Sequence, residues 1–182
     1  MKFARIVALL VALSCFAGTA CTAQESESRP RAATMGKRQL NLQDVNFAIT
    51  MSRKHTQTLA LVDMLRDKPG VDRKIVSMAE SLASTREEEL TQFTSWLEIW
   101  GGKTPEPDGP ASEQLQRLQA AAAPGEFGRI WLQVMTKHLR SGLKAMNDEV
   151  DHGQSPDVRF LAGTMRKSTR AEIKRLRRLS RG

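Results

Sequence analysis

Cysteine is almost absent from this chain. There are two, Cys15 and Cys21, and both lie in its first 21 residues. Everything after them therefore lacks a thiol nucleophile and an internal disulfide, even in a compartment that would permit one. Histidine is nearly as scarce, at three, too few for spacing alone to mark a catalytic triad. Long apolar runs are missing as well. After the first 20 residues no stretch approaches the roughly 20 apolar residues that a membrane-spanning helix requires.

The opening residues have a pattern of their own. Lys2 and Arg5 precede an unbroken apolar run from Ile6 to Leu13, and small residues follow to Ala20. This is the charged, apolar and cleavage-site order of a secretory signal, assigned to residues 1–20. Two cleavage points suit it. Cleavage before Cys21 would read Gly18-Thr19-Ala20-Cys21 as a lipobox, with Cys21 becoming a lipidated N-terminus. Cleavage after Ala23 would leave no cysteine at all. Residues 21–40 are polar, charged and without apolar periodicity, as expected of a flexible tether. A tether suits the lipidated reading because it lifts a folded domain off the headgroups. The chain is thus expected to be exported, either anchored to the extracytoplasmic face of a membrane or secreted or periplasmic.

From residue 41 to 179 the spacing predicts one all-α domain, a four-helix bundle. The first helix starts after the N-cap candidate Asn41 and stops at Pro69-Gly70, with Leu42, Val45, Ile49, Leu59 and Val62 on its apolar stripe. The second runs from Asp72 to Trp100 and buries Ile75, Met78, Ala79, Leu82, Leu90, Phe93 and Leu97; Arg86 falls on that same stripe. A proline-bearing loop and a short helix near Ser112 lead to a third helix ending at Gly153. Ser155 as N-cap and Pro156 at the first helical position open the fourth. A shift of 83 residues places Ala79 on Ala162, Leu82 on Met165, Glu89 on Glu172 and Phe93 on Leu176. Turn chemistry and core periodicity recurring in one register predict two copies of a helical hairpin, each burying its apolar face against the other.

Phe47, Met51 and His55, with Ala79, Leu82, Glu89-Leu90, Trp96-Leu97 and Trp100-Gly101, resemble the bacterial "domain of unknown function three-oh-five" family. The resemblance implies a ferritin-like four-helix bundle, usually exported, with copper or other metal handling in some members. Family members carry two copies of a Met, a His-His pair, a Gln and a Glu-Ile. Here the His-His positions are Lys54-His55 and His138-Leu139, and the Gln positions are Arg86 and Thr169. Scaffold positions are kept while ligand positions are depleted.

The remaining donors, His55, His138, Met51 and Met135, combine imidazole with thioether, a set suited to Cu(I) and poor for hard cations. Against it stands the reading that the methionines fill core gaps and the histidines are hydrogen-bonded bundle residues. A di-iron centre needs Glu-x-x-His on two helices. Glu149 to His152 has that spacing but no repeat partner, so it reads as a solvated helix end. Glu89 and Glu172 are expected to be structural acids paired with Arg or Lys. The last helix carries nine Arg and Lys, from Arg159 to Arg181, against Asp157 and Glu172, and the formal +8 of the chain becomes +6 without Lys2 and Arg5. In an exported protein this points to anionic lipid or an envelope polymer and away from nucleic acid. The same charges could equally be a solvated helix face. Trp96 and Trp100 are expected to plug one end of the bundle. These features describe a non-enzymatic, extracytoplasmic binding or structural protein without certain cofactor, with copper handling as the alternative.

Overall fold

The computed structural model describes residues 40–106 and 112–182. The signal segment, Cys21 and all but the last residue of the 21–40 tether lie outside the described residues. Those described are all-α: α1 (Leu42–Arg66), α2 (Arg73–Trp100), the short α3 (Ser112–Gln119), α4 (Pro124–His152) and α5 (Pro156–Leu179). Each start follows from local chemistry. Asn41 Oδ1 accepts from the Asp44 amide at 3.0 Å, and the Asp44 carboxylate accepts from the Asn41 amide at 2.6 Å, a reciprocal capping box. Asp72 caps α2 through the Lys74 amide, and α2 ends on Gly101 in the left-handed region at φ 73°. Ser155 and Pro156 open α5 as expected.

α1 and α2 form one hairpin and α4 and α5 the other, with α1 also packed along α4; α2 and α5 touch only sparsely. The apolar core divides into two clusters. One holds Leu61, Val62, Leu65, Leu82, Trp131, Met135 and Leu176. The other holds Phe47, Met51, Phe93, Leu97, Met146, Val158 and Met165. Positions related by the 83-residue shift fall in opposite clusters: Ala79 and Leu82 in the first, Ala162 and Met165 in the second, with Phe93 and Leu176 exchanging the other way. The two hairpins therefore run antiparallel across the middle of the molecule, and duplication supplies each end with the other copy's residues.

Two expectations about individual residues need correction. Leu42 is 80% exposed and takes no part in the α1 stripe. It is the first helical residue, at an end where no partner helix covers it. Glu149 is fully buried, although His152 at the same helix end is exposed. The Asp44 carboxylate explains this burial. Besides capping α1, it accepts from the Gln154 and Ser155 amides at 3.1 and 2.9 Å, while Asn41 Nδ2 donates to the His152 carbonyl. These bonds join the start of α1 to the α4–α5 turn, with the Glu149 side chain beneath. Glu149 finds no donor for either carboxyl oxygen. Gly153 has an ordinary φ of −64°, but a Cβ there would overlap the Glu149 carboxyl. That glycine is needed for space and not for conformation.

Two adjacent buried carboxyl groups are tolerated when one keeps its proton. Burial, reinforced by the neighbouring Asp44 carboxylate, pushes Glu149 up to about 8 from its ordinary 4.5. The native state then holds a proton that the unfolded chain releases, so this group makes stability fall as pH rises toward 8. Burial lowers His55 and His138 below 6.5, which acts in the opposite sense only at lower pH. Between pH 6.5 and 8, urea denaturation should show a loss of up to roughly 2 kcal/mol, at about 1.4 kcal/mol per unit. Glu149→Gln should flatten that decline; an unchanged slope would refute the shared proton.

Candidate functional site

Polar side chains occupy the layer between the two apolar clusters. On α1, Ser52, His55 and Thr58 interrupt the buried stripe at i, i+3 and i+6. Facing them are Arg86 and Glu89 of α2, His138 of α4, and Thr169 and Glu172 of α5. Arg86 is 1% exposed, which a guanidinium tolerates only when paired. It donates to Glu89 Oε2 at 2.9 Å and to Glu172 Oε2 at 2.5 Å. Glu89 lies one helical turn away on the same helix; Glu172 comes from the second hairpin. Arg86 thus spans the sparsely packed seam between α2 and α5.

A carboxylate-to-imidazole contact in this layer joins Glu89 to α1. His55 Nε2 stands 2.8 Å from Glu89 Oε2, although the approach is not aligned as a hydrogen bond. Burial would raise the Glu89 carboxyl, but the His55 contact and the Arg86 charge outweigh it and hold Glu89 below its usual value. Glu172 goes the other way, raised by burial that Arg86 only partly offsets. His138 Nε2 is 3.0 Å from the Lys54 carbonyl and 3.1 Å from Thr58 Oγ1. Donation to that carbonyl selects the tautomer with a lone pair on Nδ1. Burial carries His138 down to about 4, so it is neutral at physiological pH.

A small, partly open space of about 10 Å³, enough for one water or one ion, lies beside this network. Its lining includes Met51, Lys54, His55, Arg86, His138 and Met146. Three of the four candidate ligands read from sequence therefore meet here: Met51, His55 and His138. Met135 does not line the space; it is fully buried in the other cluster, among Leu61, Trp131 and Leu139. Met146 takes its place. Helical spacing places Met146 two turns after His138 on α4, so its side of the helix was readable, but nothing in the sequence set it apart from core methionines. Lys54 Nζ reaches out to donate to Ser141 Oγ at 2.8 Å, and burial lowers its pKa. Among the described residues no three His, Cys, Asp or Glu side chains converge as a metal site. Glu89 and Glu172, the acids that could serve a hard cation, are already bound to Arg86. The donors left over, two thioethers and two neutral imidazoles, fit only a soft ion, with two cationic side chains at the rim. Trp96 and Trp100 stack 5.7 Å apart at the cluster of Phe47 and Phe93, with Trp96 buried and Trp100 partly exposed.

An all-α duplicated hairpin with a polar middle layer is the class of protein this fold defines. The model of the domain of unknown function DUF305 matches residues 44–180, and the chain belongs to that family. Solved structures agree. A DUF305 fragment from Deinococcus radiodurans is 21% identical with a TM-score of 0.69, over 78% of this chain and 97% of that one. A Streptomyces coelicolor DUF305 protein described as secreted is 23% identical with a TM-score of 0.68, over 75% and 91%. CopM in its Cu(I)-bound form is 18% identical with a TM-score of 0.66, over 76% and 95%. A comparison with the curated proteins finds no significant match.

Removing Arg86 would leave two buried carboxylates facing each other. Arg86→Leu is expected to cost about 3–5 kcal/mol in urea denaturation. Adding Glu89→Gln and Glu172→Gln should restore a large part of it. A loss below about 1 kcal/mol would place the network among weak surface pairs.

Proposed function

We propose that this chain is a non-enzymatic extracytoplasmic protein whose helical scaffold binds a partner or supports an envelope component. The observation that carries this reading is Arg86: the cation of the central layer is a side chain, and it occupies both carboxylates that could otherwise hold a metal or move a proton. Export is supported by the charged and apolar order of residues 1–20 and by the neighbour described as secreted. No described helix is long and apolar enough to cross a membrane. Lipidation at Cys21 would hold the domain at a membrane surface through the tether.

Copper handling is the second reading, and a specific feature favours it. Met51, Met146, His55 and His138 line one ion-sized space, and burial keeps both imidazoles neutral and able to coordinate. Two structural neighbours are CopM in Cu(I)-bound and Cu(II)-bound forms. The ammonium of Lys54 and the guanidinium of Arg86 oppose a further cation in a poorly solvated space.

Metal analysis and Cu(I) titration of the domain from Asn41 onward separate the two readings. The expected result is no tight Cu(II) or Zn(II) site and weak Cu(I) binding that requires both histidines. Copper should then raise Tm little, because stabilisation grows only with the ratio of free metal to Kd. A large copper-dependent rise in Tm that disappears in His55→Ala and His138→Ala would make metal handling the function.

A further inference from the structure

The end of the molecule opposite the start of α1 carries a charge arrangement that the central layer does not explain. Two open grooves flank the last turns of α5. One, about 450 Å³, lies between α5 and the start of α2 and is lined by Lys74, Arg175 and Arg178. The other, about 370 Å³, lies between α5 and α4 and is lined by Lys137, Arg140 and Arg177. No acidic side chain lines either groove. None of the six cations takes part in an ion pair among the described residues.

Helix electrostatics account for only part of this. Arg177 and Arg178 complement the C-terminal dipole of α5. Lys74 sits in the first turn of α2, where the dipole favours an acid, and Lys137 and Arg140 lie well inside α4. Their unpaired charges raise the local potential at a cost in self-repulsion that a bound anion would remove.

We propose that these two grooves form a docking surface for a linear polyanion, a polymer bearing repeated phosphate or carboxylate groups, which crosses the end of α5 from one groove to the other. Two observations favour a polymer over a lipid bilayer. The charge lies in two recesses divided by the α5 ridge, so a flat surface would meet the ridge first while a flexible chain can enter both. The N-terminal segment joins α1 at the other end, beside the Phe47–Trp96 cluster, where Leu42, Ile99 and Phe160 are exposed. The exposed apolar side chains, which a bilayer would favour, thus lie at the end away from the grooves. Arg guanidinium forks suit phosphate and carboxylate oxygens alike. This inference deepens the reading of the chain as a binding protein and is independent of the central layer, because its probe is a polymer and not a metal.

The test uses the domain from Asn41 onward with long-chain inorganic polyphosphate, a polyglutamate, orthophosphate, and vesicles with and without phosphatidylglycerol. Both polymers should bind, with affinity falling steeply as salt rises, and orthophosphate should bind far more weakly. Arg175→Ala with Arg178→Ala, and separately Lys137→Ala with Arg140→Ala, should each weaken polymer binding about tenfold or more, as expected for losing two charge-assisted contacts. Arg53→Ala with Lys103→Ala, exposed cations outside the grooves, should change it less than twofold. Circular dichroism establishes that each variant is folded. Equal losses in the control variant would reduce the effect to net charge and overturn the proposal. So would absence of polymer binding, or vesicle binding through the same residues that matches the polymers.

Discussion

A guanidinium carries its charge at every accessible pH, and burying it is costly, so the position of Arg86 constrains everything packed around it. It lies at the centre of the bundle, and its two carboxylate partners come from different hairpins. Glu89 also touches His55 on α1, so one charged group communicates with three of the four long helices. The apolar clusters on either side can be filled with many combinations of Leu, Met and Phe. The layer between them cannot, because each of its members limits the charge and protonation of the next. This layer also fixes which hairpin face meets which, since a sliding of α2 against α5 would separate Arg86 from Glu172.

The antiparallel duplication accounts for where the layer sits. Equivalent positions of the two copies occupy opposite ends, and the positions near the midpoint of the repeat meet one another. Arg86 is equivalent to Thr169, and Glu89 to Glu172, so one copy supplies a cation and each supplies an acid. Symmetry alone would leave two acids facing across the middle. An arginine at one repeat position turns that repulsion into a buried ion-pair network. The second carboxyl pair, Asp44 with Glu149, solves the same problem differently: burial and the neighbouring Asp44 outweigh the charge of Arg159, so a proton is retained. Both carboxylates of the layer are held by Arg86, and the proposed function rests on that pairing.

The helices, their caps and the repeat could all be read from sequence, because each rests on local spacing. Asn41, Asp72, Ser155 and Pro156 act within one turn of themselves, and periodicity marks the buried faces of α2, α4 and α5. Arg86 was also visible, as a charge on an apolar stripe, and the pairing of the two repeated glutamates with a basic residue followed from their repetition. Contacts between distant segments were harder. Glu149 looked solvated because His152 and Gly153 follow it, and only the Asp44 side chain arriving from α1 reveals why it is buried. Met135 and Met146 are indistinguishable as core methionines until the antiparallel arrangement assigns one to each end. The cationic grooves combine residues from α2, α4 and α5 that sequence showed only as a basic last helix.

Arg86 and Glu172 join the two hairpins through the middle of the core. A double-mutant cycle on that pair, measured by urea denaturation with Arg86→Gln and Glu172→Gln, gives the energy of that link. The exposed Arg66–Glu80 pair of the same protein, with contacts of 2.9 and 2.7 Å, provides the internal comparison. The expected coupling energy is about 2 kcal/mol or more for the buried pair, against about 1 kcal/mol or less for the exposed one. Equal coupling energies, or a buried pair that couples more weakly, would contradict it.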